Sequence, residues 1–205
     1  MKLIVTDLSI ARGGSPVLSG VSFAVHAGSA LVLRGPNGIG KTTLLRTLAG
    51  LQPALSGTVN FPEEAGAYAS HTDGIKEQLT VTESLAFWAD VYNTKLPDTV
   101  FDAFDLNDLR TRLVGTLSAG QKRRVGLARL GVIGRKVLFL DEPTTSLDKF
   151  SVKLFANWLR SGHLKNGGIA VIATHADLGI DATELELSPL KSSANAGGGS
   201  DELFL

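Results

Sequence analysis

The nine residues GPNGIGKTT at 35–43 constrain the fold of this chain more than any other stretch. They close the apolar run of 29–35, which reads as a buried strand ending in glycine. They precede Leu44, Leu45, Leu48 and Leu51, whose spacing predicts a helix over 41–51. Strand, glycine loop and helix in that order wrap the backbone of Gly35, Pro36, Asn37, Gly38, Ile39 and Gly40 around an anion at the positive end of a helix dipole. Lys41 then reaches the β- and γ-phosphates of a nucleotide, and Thr42 offers its hydroxyl to Mg²⁺. Thr43 completes the motif. A unit of this kind needs a parallel sheet behind it, so the expected fold class is α/β.

The remaining sequence supplies that sheet. Residues 136–140 (KVLFL) and 169–173 (IAVIA) are continuous apolar runs of the kind found in parallel strands covered on both faces, and a helix is expected between them at 149–161. Residues 2–10 and 17–25 read as an antiparallel pair joined by Gly13-Gly14-Ser15-Pro16, and short strands follow near 57–61 and 66–70. From Thr80 the pattern turns helical: Thr80 and Glu83 make a capping box, and Pro97 is placed to open a further short helix. One domain is expected over 1–190, with a helical subdomain at about 72–135 inserted in the core. The Gly- and Ser-rich end over 191–205 reads as a flexible tail.

Charge and cysteine content narrow the function. Twenty Lys+Arg balance twenty Asp+Glu, so no net field draws the protein to nucleic acid, and no nucleic-acid partner is expected. Any polyanion site must be local. The absence of cysteine excludes disulfides, thiolate metal ligands and thiol nucleophiles. No window approaches eighteen apolar residues, and the first residues alternate, with Asp7 where a leader would stay apolar.

A metal-bound triphosphate needs a carboxylate for the cation and a base for the attacking water. The stretch VLFLDEP at 137–143 offers both at a strand's carboxyl end, where open α/β sheets bind their ligands. Asp141 is expected to hold Mg²⁺ through its water shell and Glu142 to take the proton of the hydrolytic water. The stretch LSAGQKRR at 117–124 reads by itself as a helix start, with Ser118 and Gln121 as a capping box. Lys122, Arg123 and Arg124 then have two readings, a solvated helix face or a source of local positive potential.

The phosphate loop, LSAGQ and the strand ending in Asp-Glu, in that order, resemble the ATP-binding subunits of ABC transporters over nearly the whole chain. The resemblance takes in VLFLDEPTTSLD at 137–148 and His175, which ends the stretch ATH, as the switch histidine. It implies a P-loop NTPase core with an N-terminal antiparallel β subdomain and an inserted α-helical subdomain, and ATP with Mg²⁺ as cofactors. It also implies a homodimer of cassettes facing head to tail and integral-membrane permease subunits that provide the only membrane contact. In that arrangement Ser118, Ala119, Gly120 and Gln121 clamp the γ-phosphate bound by the facing cassette. Ala119 stands where the family has glycine, so its backbone is expected to be helical or extended. Arg12 stands where most cassettes stack an aromatic ring on adenine, and a guanidinium can stack as well.

His71 occupies the place of the family's phosphate-sensing glutamine, and neutral imidazole can offer one lone pair there. Packing or capping at a strand end is its alternative role. The stretch 68–92, the LSAGQKRRVGLARL variant and the small size resemble one branch, the ATP-binding subunits of cytochrome c maturation haem exporters. That branch implies hydrolysis coupled to release of a haem-loaded chaperone and a peripheral position on the cytoplasmic face of the bacterial inner membrane. Another small ABC exporter or importer, a soluble non-transport ABC ATPase and a weakly hydrolysing nucleotide scaffold remain open at this level.

Overall fold

Residue alternation sorts the core into two layers. In β6 (Val137–Asp141) the side chains of Val137 and Phe139 enter one buried cluster, while Leu138 and Leu140 enter another. In β7 (Ile169–Ala173), Ile169, Val171 and Ala173 join the first cluster and Ala170 and Ile172 the second. Successive strand side chains point to opposite faces, so a run apolar at every position is a strand buried on both. The structure, a computed structural model, describes residues 1–70 and 74–192; His71 and the tail from 193 onward lie outside the described residues.

Chain order is β1 (Lys2–Arg12), β2 (Ser15–His26), β3 (Ala30–Arg34), α1 (Lys41–Leu48), β4 (Ser56–Asn60), β5 (Gly66–Ala69), α2 (Val81–Val91), α3 (Thr99–Ala103), α4 (Ala119–Ala128), β6, α5 (Lys149–Asn157), β7 and β8 (Ala182–Glu186). Three strands form an antiparallel sheet in the order β2-β1-β4, and five form a parallel sheet in the order β5-β6-β7-β3-β8. The strand that feeds the phosphate loop therefore lies inside the sheet, between β7 and β8. Helix α1 packs in the cluster between the two sheets through Leu44, Leu45 and Leu48. Helices α2 to α5 cover the opposite face of the parallel sheet through residues such as Leu85, Phe101, Val125 and Phe155.

Some sequence expectations shift. The two short strands near 57–61 and 66–70 go to different sheets, β4 beside β1 and β5 beside β6. Helix α1 ends at Leu48, three residues before the spacing suggested, with Gly50 at φ +73° just beyond it. The helix expected over 149–161 is α-helical only to Asn157 and then widens into a π-helical turn, Trp158–His163. Strand β8 (ATELE) was not anticipated, because its polar alternation lacks the apolar run of a central strand. It sits on the edge, where Arg34 of β3 ties it by an ion pair to Glu184 at 2.7 Å.

In β1 the alternation slips by one between Val5 and Leu8, where Asp7 sits at φ +48° and its amide donates to Ser22 Oγ at 2.9 Å. Gly57 of β4 lies against this bulge: a Cβ there would come within 2.4 Å of the Asp7 carbonyl oxygen.

Candidate nucleotide site

Helix α1 starts without a side-chain cap. Gly40 holds its N-cap position at φ 116°, in a conformation that favours glycine, and a Cβ there would fall 2.7 Å from Val17. The first amides of the helix are thus left for an outside acceptor. Lys41 is buried, and its Nζ donates to the carbonyls of Gly35 (2.7 Å) and Pro36 (3.2 Å), so the ammonium sits inside the loop. A cavity of about 520 Å³ runs along it, lined by Arg12, Lys41, Arg46, Gln52, Asp141 and Glu142 among others. That volume suits a nucleotide-sized ligand.

The acidic strand end meets the loop at Thr42. Its hydroxyl donates to Asp141 Oδ1 at 3.1 Å, and Tyr68 donates to Asp141 Oδ2 at 3.0 Å. Burial, then the adjacent Asp141 charge, pushes the Tyr68 hydroxyl well above the ordinary phenol range, so it stays a donor. Glu142 follows at φ +48°, an uncommon conformation for a glutamate, with its side chain about one-third exposed. His175 Nε2 lies 3.8 Å from Glu142 Oε1 and 3.0 Å from Asn37 Oδ1. The chain thus gathers Asn37 and Thr42, Asp141 and Glu142, and His175 from three separate segments around one loop.

Arg12 ends β1 at the mouth of the same cavity. Gln52 donates to the Ala11 carbonyl at 3.3 Å and ties the segment after α1 to that strand end. Gly38, Ile39 and Thr43 take their places in the loop and first helical turn, Ile39 and Thr43 with buried side chains.

The LSAGQ stretch is not brought to this loop. Ser118 N-caps α4 with both halves of the capping box formed, the Ser118 hydroxyl accepting from the Gln121 amide and the Gln121 side chain from the Ser118 amide. Ala119 is helical, as its side chain requires. Ser118, Gly120 and Gln121 line a separate surface cavity with Asp148 and Phe150. A Cβ on Gly120 would meet nothing within 4 Å, so no neighbour in the chain requires glycine there.

One reading of the basic residues needs correction: Arg123 and Arg124 are not a solvated face. Both are buried, Arg124 paired with Asp105 and Arg123 bonded to main-chain carbonyls, because α4 turns this side toward the sheet. Lys122 pairs with Glu77 at 2.6 Å. Sequence reasoning also missed Tyr68, Arg46 and Gln52. None of the three had a local signal: Tyr68 reaches Asp141 only through the pairing of β5 with β6, which the structure alone decides.

The strand-loop-helix cradle and the Asp-Glu strand end beside it define an ATP-binding P-loop cassette. A family model described as ABC transporter matches residues 18–145. The chain belongs to that family and, within it, to the group of the cytochrome c biogenesis ATP-binding export protein CcmA. It is 57% identical to the protein of that name from Roseobacter denitrificans over 100% of both chains. With the Paracoccus denitrificans protein it shares 59% identity over 93% of this chain and 91% of the relative. Among solved structures, a Pyrococcus furiosus ABC transporter ATP-binding protein superposes with a TM-score of 0.82 at 24% identity, covering 94% of this chain and all of the other, a likeness of fold. CbiO1 from Clostridium perfringens, part of the cbiONQ transporter complex, gives 0.72 at 26% identity over 85% and 78%. The chain is an ATPase subunit, and among the described residues no helix is long and apolar enough to cross a membrane.

Proposed function

We propose that this chain hydrolyses ATP for a cytochrome c biogenesis haem exporter, as one of two cassettes that pair head to tail beneath integral-membrane permease subunits. The observation that carries the reading is the convergence of Glu142 and His175 on the phosphate loop, with His175 3.0 Å from Asn37 of that loop. Glu142 takes the proton of a water whose oxygen attacks the γ-phosphorus, while the bond to the oxygen bridging to the β-phosphate breaks and ADP leaves with phosphate. Lys41 neutralises charge on the transferred group. His175 donates a hydrogen bond toward it.

Thr42 and Asp141 are the residues that would hold Mg²⁺. Two hard oxygen donors 3.1 Å apart suit it, and nucleotide oxygens and water would complete its coordination. The cation would supply charge neutralisation between the β- and γ-phosphates. Arg12 stacks on the base, and His71 takes the phosphate-sensing place on sequence grounds. Ser118, Ala119, Gly120 and Gln121 receive the facing cassette's nucleotide, a role supported by the open surface over Gly120 and by a cavity separate from that of the chain's own loop. The permeases put the chain on the cytoplasmic face of the inner membrane, and closure of the pair drives release of the haem-loaded chaperone.

Glu142→Gln should leave ATP binding intact and lower hydrolysis by roughly 10²–10⁴-fold, the weight of a general base. Phosphate release measured beside nucleotide binding checks this; hydrolysis near the parent rate removes Glu142 from the role.

A further inference from the structure

Arg123 stands two residues after Gln121 on α4, yet only 4% of its surface is exposed. Among the described residues its guanidinium bonds main-chain oxygens at the ends of two strands. Nη1 donates to the Ser70 carbonyl just past β5 at 3.0 Å. Nη2 donates to the carbonyls of Pro143 at 2.9 Å and Glu142 at 3.3 Å, and Nε to Pro143 at 3.2 Å, just past β6. A planar fork of five donors matches such divergent acceptors, whereas an ammonium on a flexible stem does not. Pulling a buried guanidinium off its partners is costly, so α4 and the turn after β6 are held as one body.

That turn is strained. Glu142 at φ +48° has a left-handed conformation that a glutamate keeps only where its surroundings over-determine it. Its amide is held from one side by the Ala173 carbonyl at 2.8 Å. Its carbonyl accepts from the Thr145 amide at 3.2 Å within the turn and, from the side of α4, from Arg123.

We propose that Arg123 is a positioning residue, which aims the Glu142 carboxylate through the carbonyls of Glu142 and Pro143 and makes that aim depend on how the LSAGQ helix is seated. The inference rests on the reading of Glu142 as the base. In a head-to-tail pair the first turn of α4 faces one nucleotide and Glu142 serves the other, so the Arg123 guanidinium is the strut between the two sites within each chain.

The test is a double-mutant cycle on the full chain: parent, Glu142→Gln, Arg123→Lys and the double variant, each assayed for ATP affinity and for hydrolysis. Arg123→Lys should bind ATP as the parent does and lose about 10–100-fold in kcat, since misplacing a reacting group by about an ångström costs about that much. In the double variant Arg123→Lys should add no loss in kcat to that of Glu142→Gln, because its effect on kcat runs through the aim of the carboxylate. A merely structural role predicts multiplied losses and weaker ATP binding. Either multiplied losses or parent-like kcat in Arg123→Lys overturns the proposal. If Glu142→Gln alone hydrolyses at the parent rate, the base assignment fails and takes the proposal with it, a result distinct from both. Should Arg123→Lys lose its far-ultraviolet circular dichroism, Arg123→Gln, which leaves no buried charge and keeps two donors, is put through the same cycle with the same expected and overturning outcomes.

Discussion

At the residue scale, Asp141, the proposed cation ligand, has its carboxylate fixed by two hydroxyls. It is buried, and each of its oxygens accepts one hydroxyl, from Thr42 and from Tyr68. Tyr68 carries no charge and occupies no position in the motifs of the family, but its hydroxyl fixes the carboxylate plane. Tyr68→Phe keeps the ring and removes that bond, which to a charged acceptor is worth about 1.5–3 kcal/mol. The Mg²⁺ concentration giving half-maximal ATPase should rise about 3–10-fold while ATP binding without Mg²⁺ stays as in the parent, a far smaller effect than the full bond because water can replace the donor. An Mg²⁺ titration of both proteins decides it, and superimposable curves would leave Tyr68 a packing residue.

At the scale of elements, local rules succeed where the ends of helices are exposed. Both capping boxes, Thr80 with Glu83 and Ser118 with Gln121, form as their spacing predicts, since they need no partner from elsewhere in the chain. The π-helical turn Trp158–His163 is the opposite case. His163 is buried, stacks on Trp158 with ring centroids 5.9 Å apart, and has its Nε2 3.1 Å from the Ile169 carbonyl. Burial holds its imidazole below the ordinary value of 6.5. Below that value the unfolded chain takes up a proton that the folded chain refuses, so stability falls as pH drops from the ordinary value toward the depressed one. Unfolding free energies followed from pH 7 to 5.5 should decline in the parent, with a slope for this group of at most about 1.4 kcal/mol per pH unit. In His163→Leu the decline should be shallower. Equal slopes in the two proteins would assign the acid sensitivity to other groups.

At the scale of the whole molecule, the phosphate loop and the LSAGQ turn line two cavities that share no residue. The phosphate loop with Asp141 and Glu142 opens into one cavity, and the first turn of α4 with Asp148 and Phe150 opens into another. Phe150 leaves 54% of its surface exposed at the second, an apolar ring at the edge of a polar cavity. Ser118→Arg should leave ATP binding by the monomer unchanged and abolish ATP-driven pairing. Analytical ultracentrifugation in the Glu142→Gln background with ATP measures the pairing directly; an undiminished dimer fraction would return LSAGQ to the role of a helix cap.

What could be read from the residues alone was whatever rests on contiguous chain. The phosphate loop, the two capping boxes, the doubly buried strands and the Asp-Glu strand end each depend on neighbours within about a dozen residues, so their spacing carries their geometry. Tertiary structure decided what joins distant segments. It brought Tyr68 to Asp141 across 73 positions, made Arg123 a buried strut instead of a solvated face, and sent β4 and β5 to different sheets. No local pattern marks those outcomes, because a polar side chain on a helix or an edge strand reads the same in sequence whether it meets water or a carbonyl from another element.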